Sequence, residues 1–491
     1  MGMTTPGAAP AATGVMTRHE AQVTAFEDDP GWRNARARGR DVRSRVPRGT
    51  HGAWETRGTD QRDPVEILAE QAATRVRELV PIRYGRMLAS AFAFYRGAAA
   101  LMAADLATAP STGLTVQLCG DAHLANFGGF AAPDREIVFD INDFDETLPG
   151  PFEWDVKRLV ASFAVAARDR HLPAGVDADL ARRAAQSYRT SLATFSGMGR
   201  LDVWYSRLDA QELERRWGQE AGAETLKRFH KNLRKARRKT GAHAFSRYTE
   251  VGPDGTLRPL HDPPLVVPLE DLYDGERLDR ARGVVAGAFD RYQDTLSDDR
   301  RHLLSGYRLV GVARKVVGVG SVGTRCFILL LVGREDALDD LVLQVKEAAP
   351  SVLEPYLGAS AYENQGRRVV EGQRLLQTAS DVLLGWDRAT NLDDETHDFY
   401  VRQMWDGKVS ADLERMDLSG FRVYAEICGW TLARAHARSG DAPAIAGYLG
   451  SGERFDRAMA AFATAYADQN EADFGLLRQA VDSGRIVAAE G

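Results

Sequence analysis

The chain is poor in cysteine. Cys119, Cys326 and Cys428 are few, far apart and odd in number, which excludes a disulfide framework and a cysteine-built zinc site and fits a reducing cytoplasm. No apolar run reaches the roughly 18 residues that a membrane span needs, so no membrane association is expected. The opening MGMTTPGAAPAATGVM lacks a basic start before an apolar core and reads as a flexible tail, not a secretory leader. No internal repeat is present, which excludes a solenoid. No Asn-His pair occurs anywhere, so the Asp-x-His at Asp121–His123 lacks the further ligands of a two-metal phosphoesterase. An excess of positive charge is missing too: the net charge of −6 does not suit a protein that coats a polyanion, and nucleic acid is not the expected partner.

What is present is the balance of a soluble globular protein, 44% apolar and 27% charged, over 491 residues, enough for a two-lobed enzyme with extensions. Residues 1–60 are rich in Gly, Ala, Pro, Arg and Thr and read as a flexible N-terminal arm. Seven arginines between Arg33 and Arg48 read there as a solvated run, and the basic piece containing Lys235, Arg237, Arg238 and Lys239 as a solvated helix face. Helical patterns fill much of 61–304, a strand-rich zone with one helix occupies 305–410, and Ala-rich helices fill 411–491. The mixture predicts an α+β protein.

The most informative segment is GDAHLANFGGFAAPDREIVFDINDFDE at 120–146. Asp121 follows an apolar strand, Asn126 comes five residues later, and Asp140, Asn142, Asp143 and Asp145 crowd the end of a second strand. Carboxylates with an amide oxygen are hard-ligand chemistry that suits Mg²⁺. Phosphoryl transfer needs a carboxylate to take the acceptor's hydroxyl proton, and an Asn and an Asp to hold a metal that bridges phosphate oxygens. The plain alternative is an Asp-rich surface hairpin; Phe139, Ile141 and Phe144 interleaved among the acids speak against it. A second segment, VVGVGSVGTRCFILLLVG, carries Gly318, Gly320, Ser321 and Gly323 between two β-rich runs, which predicts a strand–loop–strand cover over phosphates and not a dinucleotide fold. LVLQVKEA then puts Lys346 late in an apolar strand, where an ammonium is costly unless it meets an anion. Either Glu363 or Glu371, in the next helix, is the partner expected for it. Arg83, Arg86 and Arg96 flank aromatic residues and suit either an acidic substrate or a helix surface.

Gly-Asp-x-His-x-x-Asn at 120–126 resembles the catalytic loop of aminoglycoside and choline phosphotransferases, relatives of protein kinases, and DFDE at 143–146 resembles their metal-binding segment. WDVKRL at 154–159 is similar to the segment whose Asp supports that loop, and Lys346 resembles the lysine that grips the α- and β-phosphates. The resemblance implies ATP and Mg²⁺ as cofactors, Asp121 as the catalytic base, His123 as a loop-ordering residue, Asn126 as a metal ligand and Asp143 as the principal metal ligand, with Asp140 and Asp145 as rivals. Cys119 departs from it, standing where those enzymes carry His. The order is reversed as well: the glycine loop and lysine follow the catalytic segment here, which implies a circularly permuted, two-lobed protein-kinase-like fold with a helix-rich larger lobe. The pattern beyond residue 60, including RYGRM at 83–87 and LARAHARSGD at 432–441, is similar to the bacterial family called domain of unknown function 2252. The expected function is an ATP- and Mg²⁺-dependent phosphotransferase acting on a small-molecule acceptor. Nucleotidyl (AMP) transfer on the same fold and non-catalytic nucleotide binding are the alternatives.

Overall fold

The computed structural model describes residues 29–236, 241–252, 257–316, 318–334, 339–404 and 407–489. Within them, the arginine run expected as part of a mobile arm is helical instead. Helix α1 (Pro30–Arg45) starts at Asp29, whose carboxylate accepts from the N–H groups of Gly31 and Trp32, with proline at the first helical position. It packs on the helix Ala442–Leu449 so closely that a Cβ on Gly39 would lie 1.8 Å from the carbonyl oxygen of Ala444. Arg43 donates to the carbonyls of Gly447 and Tyr448, and Arg48 to that of Leu449. Those carbonyls end a helix, where cations are favoured, so part of the run serves as a cap for its neighbour.

Helix α2 (Ala91–Gly97) is followed by four short strands, β1 (Thr115–Leu118), β2 (Phe127–Ala131), β3 (Ile137–Ile141) and β4 (Leu148–Pro151). β1 pairs with β4, and β2 with β3, all antiparallel. Helices α3 (Phe152–Asp169) and α4 (Val176–Ser196) come next, then β5 (Leu208–Asp209) and α5 (Ala210–Ala236). Lys235 lies in the last turn of α5; Arg237, Arg238 and Lys239 lie outside the described residues.

The larger sheet draws on β6 (Val266–Pro268), then, after helix α6 (Gly275–Asp294), on β7 (Arg308–Lys315), β8 (Cys326–Val332) and β9 (Asp340–Glu347), and, after helix α7 (Gln365–Leu376), on β10 (Gly385–Thr390) and β11 (Thr396–Gln403). Its six strands run in the order β10-β11-β9-β8-β7-β6, antiparallel throughout. Period-two alternation explains why both faces are covered. Leu329, Leu331 and Leu343 pack with Tyr292 of α6, while Ile328, Leu330 and Val342 pack with Phe245 and Met404 on the other side. β12 (Val409–Ser410) joins the β2–β3 hairpin and β5 in a four-stranded sheet. Helices α8 (Leu418–Ser439), α9 (Ala442–Leu449) and α10 (Arg454–Asp482) complete the helical part, whose core includes Phe163 of α3, Leu192 of α4, Phe421 of α8 and Phe462 of α10. The chain is thus a mixed α+β protein with several antiparallel sheets. Among the described residues no helix is long and apolar enough to cross a membrane.

Candidate functional site

The turn after β1 is dictated by Gly120. Its φ of +84° favours glycine, and a Cβ there would sit 2.2 Å from the carbonyl oxygen of Glu146. Asp155, in the first turn of α3, accepts from the N–H groups of Cys119 at 2.8 Å and Gly120 at 3.0 Å. His436 of α8 meets the same carboxylate at 3.2 Å through Nε2 and the hydroxyl of Tyr188 at 2.8 Å through Nδ1. The loop is therefore held through its backbone, and Cys119 contributes an N–H where the resemblance has a histidine side chain. His436 is fully buried in this network.

Asp121 projects from that loop. Arg158 donates from Nε to its Oδ1 at 2.7 Å, and the carboxylate keeps 18% of its side-chain surface exposed. Burial pushes its pKa up, against the pull of Arg158. The Nε2 of His123 stands 3.7 Å from Asp121 Oδ2. Burial drives the His123 pKa down, and its Nδ1 has no hydrogen-bond partner among the described residues. In the main chain, the N–H of His123 donates to the carbonyl of Asp121 and the carbonyl of His123 accepts from the N–H of Asn126.

The acidic segment separates into different environments. Asp140 is fully buried, and its carboxylate accepts from Arg434 at 2.7 and 2.8 Å and from the N–H groups of Ile141 and Thr378. Asp140, read from the sequence as a rival metal ligand, thus has its carboxylate taken up by Arg434 and by backbone N–H groups, and it does not line the cleft described below. Asp143 accepts from the N–H of Asp145 at 3.1 Å, and among the described residues no cation lies within ion-pair distance of it. Burial, then the charge of Asp145, pushes its pKa up. Asp145 is met by three side chains: Lys346 pairs with it, Tyr400 donates to it at 2.8 Å and Ser321 at 3.2 Å. Burial pushes its pKa up, but Lys346 and then the Tyr400 hydroxyl outweigh that and hold it below the ordinary range.

Lys346 sits in β9 opposite Cys326 of β8 and Tyr400 of β11. The partnership expected with Glu363 or Glu371 is corrected by this geometry. Glu363 is exposed, with its main-chain carbonyl taken by Arg388, and Glu371 pairs with Arg374 in its own helix. What α7 sends towards the site is Arg368, buried, donating to the carbonyls of Asp145, Thr147 and Ala349. The glycine segment joins β7 to β8 as a strand–loop–strand unit. Arg75 donates to the carbonyls of Gly320 and Val322, and the N–H of Val76 donates to the carbonyl of Gly323.

One cleft of about 930 Å³ gathers Asp121, His123, Asn126, Asp143, Asp145, Gly318, Gly320, Ser321 and Lys346. Asp140, Gly323, Glu363 and Glu371 do not line it. Among the described residues no group of three or more His, Cys, Asp or Glu side chains is arranged to hold a metal. The set that fits a cation is smaller. Among the described residues Asp143 has no ion-pair partner, and Asn126 donates from Nδ2 to the carbonyl of Asp121 at 2.8 Å, leaving its Oδ1 as the ligand end. Two protein ligands suit Mg²⁺, which keeps waters and substrate phosphates in its shell. The sequence reading missed Arg158, Tyr400 and Arg368 as site residues. Arg158 had a signal, since it lies three residues after Asp155 and so on the same helix face; Tyr400 and Arg368 had none beyond their type.

The family described as "Uncharacterized protein conserved in bacteria (DUF2252)" matches residues 75–480. No curated protein and no solved structure matches the chain. The chain belongs to that bacterial family.

Proposed function

We propose that this family member is an ATP- and Mg²⁺-dependent phosphotransferase acting on a hydroxyl of a small-molecule acceptor, on a protein-kinase-like fold whose segments are circularly permuted. The observation that carries the reading is the contact of Lys346 and Ser321 with Asp145. The contacts span 201 and 176 residues and join a glycine- and lysine-bearing segment to an acidic one, in the cleft that also holds Asp121. Asp143 and Asn126 would hold Mg²⁺, which when bound neutralises charge on the phosphate oxygens. Asp121 accepts the proton of the acceptor hydroxyl as the acceptor oxygen bonds to the terminal phosphorus and the bridging P–O bond to the leaving ADP breaks. Arg158 fixes the orientation of that carboxylate. The glycine segment covers the phosphates with backbone N–H groups, and Lys346 turns from Asp145 to the phosphates when nucleotide enters. Calorimetric titration of Mg²⁺-ATP and of adenosine into wild type and Lys346→Met tests this. ATP binding weakens by about 1.5–3 kcal/mol, as for a lost charge-assisted hydrogen bond, and adenosine binding by less. Unchanged ATP affinity overturns the reading.

A further inference from the structure

The wall of the cleft contributed by residues 71–99 stands outside both segments used above. Gln71, Arg86, Arg96, Gly97 and Ala99 line the cleft there, and none of them is an acid. Arg96 is the informative member. It lies in the last turn of α2, a helix set by Ser90, whose hydroxyl accepts from the N–H of Ala93. Its guanidinium lies over the ring of Phe92, 6.0 Å from the centroid. Among the described residues no carboxylate is within ion-pair distance of it, and its Nε is buried with no hydrogen-bond partner. The carboxylates it does sense are Asp121 and Asp143, whose charges partly offset the effect of burial on it. A guanidinium keeps its charge, and a buried donor left unsatisfied is costly. Asp121 does not need it, because Arg158 already fixes that carboxylate. The phosphates do not need it either on the reading above, which gives them Lys346, the glycine segment and the metal. What lacks a partner is the acceptor.

We infer that the acceptor is an anionic hydroxy compound, and that Arg96, with Arg86 on the same wall, binds its carboxylate or phosphate group and so aims its hydroxyl at Asp121. The inference rests on the proposed nucleotide site. It follows from the geometry of a forked donor beside a proton-accepting carboxylate, since arginine matches planar and tetrahedral oxyanions with paired N–H groups. A cationic acceptor would meet repulsion at this wall.

The test uses the full chain saturated with Mg²⁺ and AMP-PNP, whose terminal phosphate fills the donor position. Inorganic phosphate and glycolate are titrated separately into this complex by calorimetry at low ionic strength, which distinguishes a phosphate-bearing from a carboxylate-bearing acceptor. At least one of them binds the wild-type complex, at least tenfold more weakly in Arg96→Met and by an intermediate amount in Arg96→Lys, with thermal unfolding of all three proteins confirming that they are folded. If AMP-PNP binds and neither anion does, or if Arg96→Met binds the anion as wild type does, the inference is overturned while the nucleotide site stands. Phosphate binding that depends on Arg96 but is abolished by AMP-PNP assigns Arg96 to the donor phosphate and also overturns it. Failure of AMP-PNP itself to bind overturns the nucleotide site, and this inference with it.

Discussion

Asp140 and Asp145 stand five residues apart in one acidic segment, and each meets a cation from far along the chain. The outcomes are opposite. Asp140 and Arg434 are both closed off from solvent, and backbone N–H groups occupy the remaining carboxylate positions. Asp145 keeps 26% of its side-chain surface, and the ammonium it holds lines the cleft with it. A fully enclosed pair ties α8 to the β2–β3 hairpin; a pair open on one side can exchange its partner for a ligand. The comparison teaches that an acidic cluster in sequence is not one chemical unit. Its members are sorted by what packs on them.

The largest expected effect is on chemistry. Asp121→Asn keeps the carboxylate's shape and loses its basicity, so Mg²⁺-dependent ADP release falls by about two to four orders of magnitude while nucleotide binding is retained. Wild-type release rates in this variant would remove Asp121 from the mechanism. Next comes the enclosed pair. Asp140→Asn leaves Arg434 charged in the interior and lowers stability by about 3–5 kcal/mol in denaturant unfolding, whereas the nucleotide affinity of the folded protein is preserved. Loss of affinity without loss of stability would erase the distinction between the two pairs. Glu146 sharpens it through pH. Burial pushes its carboxyl up to about 7 from a usual 4.5, so the folded chain holds a proton that the unfolded chain has released. Stability therefore falls as pH rises through that window, by up to about 3 kcal/mol. Glu146→Gln, which retains an acceptor for the N–H of Val352, flattens this part of the profile in metal-free unfolding measured between about pH 4 and pH 8. The smallest effect is at an outer ion pair, Arg38 with Asp441, both largely in solvent. Arg38→Ala changes stability by less than about 1 kcal/mol, because α1 is docked by its Gly39 contact and by Arg43 and Arg48.

Much of this was legible in the residues. The continuous apolar run FILLL marks a strand buried on both faces, glycines between two apolar runs mark a turn, and Asp121 and Asn126 fall on one loop because an apolar strand ends just before them. The helical arm from Pro30 was legible too, in Asp29-Pro30 as a start signal, but its arginines hid it: no apolar stripe advertises a helix that docks through glycine and through donors to carbonyls. The pairing of Lys346 was misread because glutamates in the next helix are near in sequence, while Asp145, 201 residues away, is near in space.

By itself the sequence determined short-range facts: the strongly apolar or periodic strands and helices, and that the chain carries an acidic and a glycine–lysine segment. Those rest on backbone geometry and periodicity over a few residues. Only the tertiary structure decided that Asp140 is enclosed and Asp145 open, that Arg158 holds Asp121, and that Arg96 lines the cleft with no carboxylate within ion-pair distance among the described residues. Burial and ion pairing act through space, between residues whose separation along the chain carries no information about their contact.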